Sequence, residues 1–106
     1  MEINISILIP THNRPIQFKN CIGQIISQLD ELDALNINYN IEVLVNNDSF
    51  DIEEIYDHRI TVKYYYKTIQ ELGFFPHEFL YSKATNNWIY ILEDDDLIFK
   101  HFFKNI

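Results

Sequence analysis

Trp88-Ile89-Tyr90-Ile91-Leu92 runs straight into Glu93-Asp94-Asp95-Asp96, and this junction decides how the chain reads. Five consecutive apolar or aromatic residues predict a short strand buried on both faces, as inside a parallel sheet. Four adjacent carboxylates repel one another unless something positive sits among them. At the carboxyl edge of an open α/β sheet, where ligands bind, a divalent cation with oxygen ligands meets that need. A solvated acidic turn is the plain alternative.

The upstream sequence supplies the rest of such a sheet. Ile3 to Ile9 begins by alternating and ends continuous, which predicts a strand entering a sheet interior. Pro10-Thr11-His12-Asn13-Arg14-Pro15 stops it; Asn13 can cap the next helix, and Pro15 suits a first helical turn. Phe18, Ile22, Ile25, Ile26, Leu29 and Leu32 then recur at three- and four-residue spacing, which predicts a helix with one apolar stripe. Residues 36–40 read as a connector, Ile41 to Val45 as a second buried strand, and Asp51 to Tyr56 as a short helix capped by Asp48 or Ser49. Ile60 to Tyr66 reads as a third strand, nearer an edge because it carries Lys63. Glu71-Leu72-Gly73 reads as a turn, and Pro76 to Ala84 as a helix with Phe79 and Leu80 inward. Strands alternating with helices predict an α/β fold with a mostly parallel sheet of about four strands flanked by helices.

Composition narrows the function classes. The 106 residues suffice for one domain, read as 1–106, and 47% hydrophobic content marks a folded globule. No apolar run approaches the roughly 20 residues of a membrane span, and residues 1–9 lack the basic start of a signal peptide. The single cysteine, Cys21, excludes an internal disulfide and reads as a small buried residue, so a reducing cytoplasm is expected. Sixteen acidic residues against 8 basic ones give a net charge of −8, which argues against a nucleic-acid partner.

In a parallel sheet the polar strand tips at His12-Asn13, Asn46-Asn47-Asp48 and Glu93 to Asp96 all fall on one carboxyl edge. Four segments then carry a resemblance. Ile5 to Pro15 resembles the opening strand of family 2 glycosyltransferases, with its P-T-Y-N-R ending. Val43 to Ser49 resembles their second strand, which usually ends in Asp-Asp-Gly-Ser. Glu71-Leu72-Gly73 resembles their N-L-G turn, and Trp88 to Asp96 the strand that carries the D-x-D metal motif.

The resemblance covers nearly the whole chain. It implies the Rossmann-like donor-binding half of a GT-A fold, a nucleotide-sugar donor (most often UDP-linked) and Mn²⁺ or Mg²⁺. By position, Pro10 and His12 would line the base pocket, and Thr11, Asn13 and Arg14 would belong to the nucleotide-sugar site around it. Asn47 would stand where an aspartate reads the uracil edge. Asp94 and Asp96 would hold the metal, with Asp95 beside the donor.

The departures bear on activity. Asn46-Asn47 replaces Asp-Asp, and Glu78-Phe79 stands where the family usually has Arg-Asn. Beyond Asp96 the sequence continues only to Ile106, whereas the family's acceptor half and catalytic base normally follow. A truncated domain, with no catalytic residue assigned, is therefore expected. His101, in an aromatic tail, reads as packing or surface. Two further readings stand beside the enzyme. One is a non-catalytic module acting as a binding or regulatory subunit, with self-association into a homo-oligomer through uncovered apolar surface. The other is a phospho-acceptor receiver domain, which should carry acids after its first strand; Thr11-His12-Asn13 has none.

Overall fold

A computed structural model of the chain describes residues 2–93 and Phe103. The α/β architecture is as expected: β1 (Glu2–Thr11), β2 (Asn38–Asn47), β3 (Thr61–Tyr65) and β4 (Trp88–Ile91) pair in parallel in the order β3-β2-β1-β4. This arrangement is consistent with a Rossmann-like fold.

Ile3, Ile5, Ile7 and Ile9 project from β1 to one face, where α1 (Pro15–Ala34) lays down Phe18, Cys21, Ile22, Ile25, Leu29 and Leu32. Phe103 joins this cluster, and its N–H donates to Gln28 Oε1 of α1 at 3.4 Å. On the opposite face Leu8 and Leu44 pack against Leu80 of α3 (Pro76–Lys83). Helices thus cover both faces of the two central strands. No helix among the described residues is long and apolar enough to cross a membrane.

Several expectations are corrected. Asn13 does not cap α1: its φ is +55°, and Arg14 takes the N-cap position without a side-chain cap bond. The helix ends at Asn36, φ +56°, where the N–H of Ile37 returns to Leu32 O and that of Asn36 to Asp33 O. That is the left-handed closure which asparagine tolerates. β2 starts at Asn38 rather than after residue 40, because β1 offers it a partner residue for residue from Glu2↔Asn38 to Thr11↔Asn47.

No helix forms over residues 51–56. The Tyr64 hydroxyl accepts the Ile55 N–H and donates to the Ile55 carbonyl, both at 2.7 Å, so that residue's backbone groups are satisfied outside a helix. Ile52 and Ile55 meanwhile reach the main core. The 71–73 turn is the end of a four-residue helix, α2 (Ile69–Leu72), built on a Thr68–Glu71 capping box and closed by Gly73 at φ +72°.

β4 carries the largest correction. Trp88 is 65% exposed and Ile91 47%, so the strand is not buried on both faces. It pairs with β1 on one side, and no described strand flanks the other. An apolar run reports what a strand is suited to touch, not how many neighbours it has.

Candidate functional site

Strand order reverses between β1 and β4, since β2 and β3 continue on one side of β1 and β4 lies on the other. In an open parallel sheet, the crevice beyond the carboxyl ends at such a reversal is where ligands bind. The chain has a cleft of about 290 Å³ there, lined by Pro10, Thr11, His12, Arg14, Asp48, Ile69, Pro76 and Glu93. The first four leave the end of β1, Asp48 the end of β2 and Glu93 the end of β4; Ile69 and Pro76 come from the α2–α3 side.

Hydrogen bonds lock the β1 and β2 tips together. His12 Nδ1 lies 2.5 Å from Asp48 Oδ1, while Asn13 Nδ2 donates to His12 Nε2 at 3.0 Å. That pattern assigns the imidazole proton to Nδ1, donating to the carboxylate. Asn13 N–H donates to Ser49 Oγ at 2.8 Å, and Asp48 N–H reaches Thr11 O at 3.4 Å. Ser49 and Asn47 both hydrogen-bond the Asp51 carboxylate, and with His12 nearby they keep its pKa below the ordinary value.

Of the residues singled out in the sequence, the cleft gathers Pro10, Thr11, His12 and Arg14 on one wall with Glu93. Asn13 borders them through its bond to His12. Asn47 is not in the lining; it is fully buried, and its side chain spans the turn to Ser49 and Asp51. Asp94, Asp95 and Asp96 lie outside the described residues, as does His101. Among the described residues, no group of three or more acidic, histidine or cysteine side chains could hold a metal.

Asp48, Ile69 and Pro76 are cleft residues that the sequence reading did not select. Asp48 was legible as a strand-tip residue, but turn formers are common there and its pairing with His12 is a tertiary fact. Ile69 carries no local signal, being an apolar residue in a short helix.

The fold and cleft define an α/β chain with a cleft at the switch point of a parallel sheet. No protein-family model matches the chain, and no curated protein does either.

Proposed function

We propose that this chain binds a nucleoside diphosphate sugar, such as a UDP-sugar, as the donor portion of a metal-dependent glycosyltransferase. The observation that carries the reading is the cleft at the strand-order reversal, formed by the residues at the ends of β1, β2 and β4. Arg14 brings a cation to it for a phosphate, and His12, oriented by Asp48, brings a planar ring for a base. Glu93, the first residue of the acidic run, lines the same cleft.

The donor set fits a hard cation, because carboxylate oxygens together with diphosphate suit Mg²⁺ or Mn²⁺. Asp94 and Asp96 would hold it, with Asp95 beside the donor, and the ion would neutralise charge on the diphosphate leaving group. An acceptor hydroxyl further needs a general base within hydrogen-bond reach, a role given to no residue of this chain. The proposal is therefore donor and metal binding.

Calorimetry with UDP-glucose, UDP-galactose and UDP-N-acetylglucosamine in Mn²⁺ tests it. Binding that disappears with chelator, and loses its metal dependence in Asp96→Ala, is expected. Absence of heat with every UDP-sugar would refute it. The alternative, a non-catalytic module, draws on Glu78, an exposed acid in the first turn of α3 beside the cleft residue Pro76. It predicts a folded protein indifferent to metal and nucleotide.

A further inference from the structure

A base held in this cleft would meet the tip of β2, where both asparagine amides are already engaged. Asn46 clasps Lys67: its Nδ2 donates to the lysine carbonyl at 3.0 Å, and its Oδ1 accepts the lysine N–H at 2.9 Å. Asn47 Oδ1 accepts the Ser49 N–H at 3.0 Å, and Asn47 Nδ2 donates to Asp51 Oδ1 at 3.2 Å. Both side chains are buried, so neither presents a donor–acceptor pattern to a ligand.

Phe50, in the same loop, is exposed. Its φ is +58°, a left-handed conformation that a bulky residue adopts only when its surroundings enforce it. The ring nevertheless stands 63% exposed. It stacks on Tyr66 with centroids 6.0 Å apart and planes 15° from parallel. The Tyr66 hydroxyl is fixed by Glu54, which also accepts from Tyr56. Asp48, two residues before Phe50, lines the cleft and meets His12 Nδ1 at 2.5 Å, which puts this loop at the His12 end of the cleft.

We propose that Phe50, backed by Tyr66 and standing beyond the cleft lining, is a second stacking face for the donor's nucleobase besides the His12 ring, and that the site takes purine and pyrimidine diphosphates alike. The inference rests on the nucleotide reading above and deepens it. Every base has a π face, so stacking discriminates little. Strong discrimination needs polar groups that the wrong base would leave unpaired, and the amides at the β2 tip are already paired. Glycine at position 50 would relieve the left-handed backbone.

Calorimetry with UDP, CDP, GDP, ADP and ribose 5-phosphate, each with Mg²⁺, tests this on wild type, Phe50→Gly and Phe50→Trp. The four diphosphates are expected within about fivefold of one another. Phe50→Gly should weaken all four by about tenfold or more, with the melting temperature unchanged or raised. Ribose 5-phosphate should bind both proteins equally, and Phe50→Trp should retain nucleotide affinity. A preference of about a hundredfold or more for one base, or Phe50→Gly binding like wild type, overturns the platform while leaving the donor site standing. Failure of every nucleotide to bind wild type overturns both.

Discussion

Replacing Glu42 by alanine removes a carboxylate that is only 5% exposed, on the α3 face of β2. Its Oε1 accepts two short bonds, from Ser6 Oγ and from the Thr85 N–H, both at 2.6 Å. The Asn86 N–H donates to the same Ser6 hydroxyl at 3.2 Å, and Asn86 Nδ2 donates to the Ile5 and Asn40 carbonyls. Glu42 therefore ties the α3–β4 link to both central strands. A hydrogen bond to a charged group contributes about 1.5–3 kcal/mol. Relief of the buried charge returns part of two such bonds, so a net loss of about 3 kcal/mol is expected.

The acid dependence of that loss has a definite sign. Burial raises the Glu42 pKa, but the bonds from Ser6 and Thr85 outweigh it and hold the carboxyl below its ordinary 4.5. A folded-state value below the unfolded one gives stability that is complete above pH 4.5 and fades as pH falls through the lower folded value. Urea unfolding of wild type and Glu42→Ala at pH 7 and at stepwise lower pH measures both effects. Ser6→Ala and the double variant add the coupling between partners, about 1 kcal/mol or more for groups in direct contact. A loss under about 1 kcal/mol at pH 7, or a gap that stays constant into acid, would refute the reasoning.

Other perturbations give results of different size. Leu80→Ala empties the centre of the smaller core between α3, Leu8 and Leu44 and should cost about 2–5 kcal/mol in chemical unfolding. Gly73→Ala meets no atom within 4 Å, so its cost of about 1 kcal/mol should come from the +72° backbone alone and be matched by Gly73→Ser. Arg59 bonds Asp57, Asp30 and Asp33 at 2.7–3.0 Å, tying the segment before β3 to α1. Arg59→Ala should lower the melting temperature by a few degrees at low salt and by less in 1 M NaCl, because exposed pairs are screened. The Arg59 side chain holds the Asp57 carboxyl down from 3.8 to about 2, so this contribution should be complete above the ordinary value and be lost as pH falls from there through about 2.

Local patterns carried much of the fold. The three- and four-residue spacing from Phe18 to Leu32 and the alternation of Ile3, Ile5, Ile7 and Ile9 each specify one element and the face it buries. Once the strands are parallel, their polar tips converge on one edge, so Pro10, Thr11, His12 and Arg14 could be placed together there before any coordinates, and the cleft is lined by them. Lys63 marked β3 as an edge in the same way.

What the sequence by itself determined, then, is most of the strands and helices and the sheet edge that carries the cleft. Periodicity and turn chemistry are local, and local contacts report them. Tertiary structure alone decided which groups at that edge are already engaged. Asn46 and Asn47 look like ligand-facing amides until Lys67, Ser49 and Asp51 are seen to occupy them. Asp48 looks like a turn former until His12, 36 residues earlier, meets it. The run from Trp88 to Leu92 suits a buried strand, yet Trp88 stands exposed because β1 is its strand's one neighbour among the described residues. A hydrogen bond is spent on the first partner that geometry supplies. For Asn46 and Asp48 that partner lies 21 and 36 residues along the chain, where no local pattern records it.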